Sequence, residues 1–291
     1  MSMKFNKTSN ILNMKQLLTS VLVFLSSFLF SCTGEEVLPN PDGADGKAYA
    51  ISGVVRDASG KPVKGARIRV ENPNGNNIHY TATSDEAGKY SIGVSAIGGY
   101  KIYAWKEAEY ENHTYQVRLG MEKESDYDAF SVPPGGVTKN FTWKLDGRIP
   151  DRVVSKENGS GYFGGTIKFI NYNALTDEMP AGMEVTIRLT PVPNAKFLDG
   201  TSAAGKTVEK RFTIRDGVGQ AYYVNDIPAT KYRITASGML NGVAKSVDIG
   251  SESPEDFTIS AEYYFKPEGG SGSYENGLIS PNEYYFYLLS K

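Results

Sequence analysis

Residues 65–71 read Gly65-Ala66-Arg67-Ile68-Arg69-Val70-Glu71. Ala66, Ile68 and Val70 fall on one side; Arg67, Arg69 and Glu71 fall on the other. That period of two belongs to a strand with one face in a core and one in water. Beyond residue 48 no stretch of about ten residues carries helical periodicity, whereas strand-like runs and turn formers alternate throughout. The 19 Tyr favour strands, and the 31 Gly and 14 Pro favour turns. The chain is therefore expected to be all-β.

In the first half, Ile51 to Arg56 is a strand that runs into the turn Asp57-Ala58-Ser59-Gly60-Lys61-Pro62. Thr83 through Lys89 is a second turn, feeding a strand with Tyr90 and Ile92 inward. Gly98 to Ala104 is the next strand, and Phe141, Trp143 and Leu145 share the face of a closing one. Four segments in this order and spacing, Gly53–Asp57, Gly60–Ala66, Thr83–Tyr90 and Gly99–Ala104, resemble the carboxypeptidase regulatory-like domain. The resemblance implies a transthyretin-like β-sandwich of about seven strands. It also implies an accessory module without catalytic residues.

The second half repeats the scheme. Gly165–Phe169 corresponds to the Gly53 strand, Pro180–Leu189 to Pro62–Val70, and Asp226–Ala236 to the Tyr100 strand, with a longer loop from Pro191 to Lys206. Two tandem Ig-like or transthyretin-like antiparallel sandwiches are expected, over residues 49–147 and 162–291, joined by a linker at 148–161. A Gly/Ser loop at 267–273 precedes the aromatic run Tyr284-Tyr285-Phe286-Tyr287-Leu288-Leu289. That run is expected to be a final strand of the second sandwich, or one donated to a neighbouring copy.

The first 31 residues read as a signal peptide. Lys4, Lys7 and Lys15 precede an apolar run of 14 residues, Leu17 to Phe30, shorter than the ~20 a spanning helix needs. Met14 is an alternative start. Leu29-Phe30-Ser31-Cys32 resembles the lipobox of bacterial lipoproteins, although Phe30 is bulkier than the usual occupant. The resemblance implies acylation of Cys32, a palmitate-class modification, and anchorage in the outer membrane. Thr33-Gly34-Glu35-Glu36 resembles an acidic signal for export to the cell surface. Residues 32–48 read as the lipidated Cys and a flexible tether; Asp42 and Asp45 lie in it and lack the later acidic ligand of a calcium loop.

Composition narrows the function. Lys+Arg number 31 against 33 Asp+Glu; without Lys4, Lys7 and Lys15 the basic count is 28, so no nucleic-acid partner is expected. A single Cys excludes an intrachain disulfide. Only His79 and His113 are present, both expected to be exposed. No metal site, cofactor or catalytic residue is read, and the chain is expected not to be an enzyme. Tyr103 and Trp105 alternate with the inward Tyr100, Ile102 and Ala104, and Tyr110 and Tyr115 follow. These four are the candidate ligand-binding residues, an exposed aromatic surface suited to sugar.

The expected function is that of a non-catalytic, membrane-anchored surface lipoprotein acting as a binding module for a glycan or a nutrient-uptake partner such as an outer-membrane protein. The alternative is a structural or adhesive, pilin-like subunit that assembles by strand exchange.

Overall fold

The computed structural model describes residues 49–75, 78–155, 160–172, 178–217, 219–250, 256–264, 278 and 285–290. The signal segment, Cys32, the tether and the Gly/Ser loop lie outside them. The described chain is all-β and forms two β-sandwich-like domains.

The first domain contains β1 (Ala50–Arg56), β2 (Arg67–Glu71), β3 (His79–Thr83), β4 (Lys89–Gly93), β5 (Lys101–Tyr110), β6 (His113–Met121), β7 (Val137–Thr138) and β8 (Phe141–Thr142). A 3₁₀ turn covers Glu124–Tyr127. The second contains β9 (Gly165–Asn171), β10 (Glu184–Pro191), β11 (Val208–Thr213), β12 (Ala221–Ile227), β13 (Lys231–Leu240), β14 (Val243–Gly250), β15 (Ala261–Tyr264) and β16 (Tyr285–Ser290). The sheet orders are β3-β2-β5-β6-β8-β1-β4 and β11-β10-β13-β14-β16-β9-β12. Along these seven-strand paths the second is the first advanced by eight strands; the remaining strands differ, β7 pairing β1 and β15 pairing β13. Most pairs are antiparallel; β8 and β7 run parallel to β1, and β16 runs parallel to β9.

Local chemistry explains the turns. Asp57 Oδ1 accepts the amides of Ser59 and Lys61, each at 2.8 Å. Asp85 Oδ1 accepts those of Ala87 at 2.9 Å and Lys89 at 2.8 Å. Each Asp-x-x-Gly-Lys segment thus turns the chain around a carboxylate, and its Gly takes a positive φ (85° at Gly60, 73° at Gly88) that other residues resist. Gly53 has a different cause: the Lys139 carbonyl occupies the place a Cβ would need.

The β2 alternation is realised. Ala66, Ile68 and Val70 are fully buried, while Arg67 is exposed and Arg69 and Glu71 are half-buried as an ion pair. Burying Ile68 or Val70 this way stabilises by about 1.5–3 kcal/mol each. In the second domain Val185, Ile187 and Leu189 do the same on β10. The buried apolar residues of both domains form one continuous cluster that passes through Trp143, Ile149 and Phe163 at the junction.

The stretch Tyr110–Tyr115 is the tip of a tight β5–β6 hairpin whose two turn residues, Glu111 and Asn112, both have positive φ. Such paired values match the twist of the flanking strands. Asn241 and Gly242 do the same between β13 and β14. The segment Asp226–Ala236 is not one strand: Asp226 adopts a φ of 62°, β12 ends at Ile227 and β13 begins at Lys231.

Candidate ligand-binding faces

The aromatic surface expected on β5 is not a surface. Tyr103, Trp105 and Tyr115 retain 5%, 8% and 1% of their exposure, and Tyr110 is half-buried. The outer face of β5 and β6 is covered around Tyr103, Trp105 and Arg118, while Glu107 and Glu109 further along β5 stay exposed. The Arg118 guanidinium lies 5.3 Å from the Tyr103 ring centre, and that of Arg152 lies 5.7 Å from it. Arg118 is held in turn by Asp151 at 2.9 and 3.2 Å. The segment between the domains is therefore packed onto the sheet, with Ile149 fully buried. Tyr115 sits edge-on to Tyr110 at 6.4 Å. The Tyr110 hydroxyl accepts the Lys231 amide at 2.9 Å and lies 3.4 Å from Thr230 Oγ1. All four aromatics are thus structural. His79, expected to be exposed, is buried, and half-buried His113 lies 6.2 Å from the Tyr264 ring across the domain junction.

A second tie fixes the two domains. The Asp226 carboxylate accepts the Gly147 amide at 2.8 and 3.0 Å and the Gly164 amide at 3.3 Å. Burial raises the Asp226 pKa, and the two amide donors partly offset that rise by favouring the anion. Gly164 has no room for a side chain, because a Cβ there would press on the backbone of Asp226 and Ile227.

Beside this tie lies a cleft of about 720 Å³ between the two sandwiches. Trp143, Lys144, Leu145, Asp146, Phe197, Lys206 and Val208 are among the residues that line it.

A different aromatic face exists on the second domain. Tyr223, Lys168 and Tyr285 are direct cross-strand neighbours on β12, β9 and β16. Ala221, Ile170 and Tyr287 form the next row. Their alternation with buried Phe169, Phe286 and Leu288 puts these residues on the outer face, and all are half-buried. Lys168 Nζ lies 6.0 Å from the Tyr223 ring centre and 5.7 Å from that of Tyr285. Tyr287 packs edge-on to Tyr285 at 5.4 Å and to Tyr172 at 5.3 Å.

This face differs from its counterparts. The outer side of β10 and β11 is charged, with Arg188 paired to Glu209 and Arg211 to Glu184. The matching layer of the first domain presents Ser52 beside Ser91 and Val54 beside Lys89. An antiparallel sheet ordinarily turns a polar face to water; tyrosine and isoleucine make this one less polar than its counterparts. The signal was present in Tyr285-Phe286-Tyr287-Leu288, whose alternation divides two tyrosines from two core residues. Reading that run only as a final or donated strand left its outer half unassigned.

Comparison with known proteins bears on the first domain. Residues 50–131 match the family model of the carboxypeptidase regulatory-like domain. The match contains all four motif segments from Gly53 to Ala104 and stops before β7 and β8, the strands that complete this sandwich. No curated protein matches the chain. Among solved structures, the Bacillus anthracis TIE protein is 12% identical with a TM-score of 0.27, covering 84% of this chain and 44% of its own. The chain thus spans less than half the length of that protein. A DUF3823 family protein from Bacteroides uniformis ATCC 8492 is 11% identical with a TM-score of 0.23, covering 75% of this chain and 99% of its own. The streptococcal ancillary pilin is 9% identical with a TM-score of 0.25, covering 75% of this chain and 59% of its own.

Proposed function

We propose that this chain is a lipid-anchored, non-catalytic module of the outer cell surface that binds glycan through the outer face of its second sandwich. The observation that carries the reading is the row Tyr223–Lys168–Tyr285, backed by Ile170 and Tyr287. Strands lie ~4.8 Å apart, so the two tyrosines are about two spacings, ~10 Å, from each other. Such a row offers successive aromatic contacts to an extended chain of sugar rings. Tyrosine suits this role because its ring packs on C–H faces while its hydroxyl meets sugar hydroxyls. The anchor rests on Cys32 after the apolar run Leu17–Phe30. Two or more acyl chains hold a protein on a bilayer durably, whereas one does so only marginally.

The test is glycan-array binding of the mature chain. Tyr285→Ala and Tyr223→Ala should each abolish or strongly weaken the signal, and Lys89→Ala, on the corresponding face of the first domain, should leave it intact. Equal binding by all three variants, with unchanged circular dichroism, overturns the site. For the anchor, a fatty-acid probe should label the parent and not Cys32→Ala; equal labelling overturns it.

A further inference from the structure

We propose that the end of the first sandwich where the chain enters at Tyr49 is a seat for a zwitterionic lipid surface. The inference rests on the lipid anchor proposed for Cys32 and not on the tyrosine face.

Three stretches meet at this end. Val94 donates its amide to the Tyr49 carbonyl at 2.9 Å, which puts the β4–β5 connection beside the start of β1. Asn72 of the β2–β3 turn lies against that connection, since a Cβ on Gly98 would be 3.1 Å from its Nδ2. The Asn72 amide in turn reaches the Ile78 carbonyl at 3.1 Å. Tyr100 and Phe130 exchange backbone hydrogen bonds at 2.7 and 2.9 Å, and a Cβ on Gly136 would be 2.5 Å from the Ala50 carbonyl oxygen. The stretch leading into β7 therefore closes the same end.

Their chemistry is uniform. Residues 72–78, 93–100 and 129–138 contain no charged side chain. Ile97 is 86% exposed and Ile78 41%, and Pro73, Ala96, Pro133 and Pro134 of the same stretches are exposed. The opposite end of this sandwich carries Asp57, Lys61, Lys64, Asp85 and Glu86, with Lys64 paired to Glu86. Charged loops would lose hydration against lipid, whereas uncharged loops with exposed isoleucine lose little.

The path of the chain says what covers this end. Residues 33–48 join Cys32 to Tyr49 and reach at most about 55 Å, so a bilayer holding Cys32 stays within reach of these loops. Two isoleucines would not hold a free protein on lipid, but a tether makes the contact an intramolecular step at high effective concentration. Glu122, Glu124 and Asp128, exposed on the stretch that leads to Phe130, disfavour an anionic surface. The second sandwich joins at the other end, through Tyr110 and Lys231, so seating leaves it on the side away from the bilayer.

The mature chain, coupled through the Cys32 thiol, the only one in the sequence, to maleimide-bearing lipid in phosphatidylcholine vesicles, tests the seat. Tryptophan is introduced singly by Ile97→Trp or by Val243→Trp, the latter in the β13–β14 hairpin where Val243 is 57% exposed. Emission is read as the difference from the parent. With bromine on the acyl chains, the Ile97→Trp signal should fall by about half, as for a side chain seated at the headgroup boundary, and the Val243→Trp signal should stay. Ile78→Asp added to Ile97→Trp should relieve the quenching, and admixed phosphatidylserine should weaken it. No quenching in Ile97→Trp, equal quenching at both positions, indifference to Ile78→Asp, or stronger quenching with phosphatidylserine would each overturn the proposal. So would shielding from iodide that grows with protein density without bromine quenching, the sign of a second copy as the occupant. Because the coupling is chemical, the two failures separate: an unlabelled Cys32 in cells sinks the anchor, whereas missing quenching on the vesicles sinks the seat.

Discussion

The Tyr110 hydroxyl accepts a hydrogen bond from the Lys231 amide at 2.9 Å, joining residues 121 apart in sequence. A tyrosine at the end of a first-domain strand is thereby a strut for the second domain. Tyr110→Phe keeps the ring and removes the acceptor, leaving the Lys231 amide unsatisfied. A loss of about 1–3 kcal/mol is expected, read as a lowered midpoint in urea unfolding. Partial separation of the two domains' transitions should accompany it. A variant with the parent's midpoint and a single sharp transition would show that this bond does not couple the domains.

Asp226 makes the junction sensitive to pH. Its pKa is raised in the folded chain, chiefly by burial. Between the unfolded and folded values the native state therefore holds the extra proton, and stability declines as pH rises through that window. Asp226→Asn keeps an acceptor for Gly147, tolerates the positive φ and removes the titration. Its advantage over the parent should grow as pH rises from below the ordinary carboxylate value toward neutrality. Parallel stability curves for the two proteins would contradict this.

Ile68 and Arg67 are sequence neighbours with opposite fates. Ile68 is fully buried, whereas Arg67 is exposed and 3.6 Å from Glu107. Ile68→Asp should unfold the first domain by burying an unpaired charge. Arg67→Glu should cost no more than about 1 kcal/mol, as surface pairs do. Similar melting temperatures for the two variants would mean that the β2 register is wrong.

β16 lies between β14 and β9, with Phe286 and Leu288 in the core. Deleting residues 285–290 should strip hydrogen-exchange protection from β9 and β14. Protection of β1 through β6 should persist more than that of the second domain. Retained protection in β9 and β14 would show that the sheet closes without this strand.

Some of this architecture was open to a reader of the sequence. Ala66, Ile68 and Val70 announced their strand because backbone geometry alone makes alternate side chains share a face. The Asp57 and Asp85 turns were equally legible, since a carboxylate capping its own following amides is a contact within five residues. Asp226 was not. Its partners Gly147 and Gly164 lie 79 and 62 residues away, and nothing local identifies them.

Period and turn chemistry by themselves therefore determined an all-β chain with a repeated layout, because both act over a few bonds. Which aromatics meet water was decided only in three dimensions. Tyr103 and Trp105 alternate outward as any strand residue does, yet the segment carrying Ile149, Asp151 and Arg152 packs over that region of the sheet. Tyr223, Tyr285 and Tyr287 come from distant stretches of chain and share one surface only because β12, β9 and β16 pair. Burial depends on everything that surrounds a side chain, and most of those neighbours are remote in the chain.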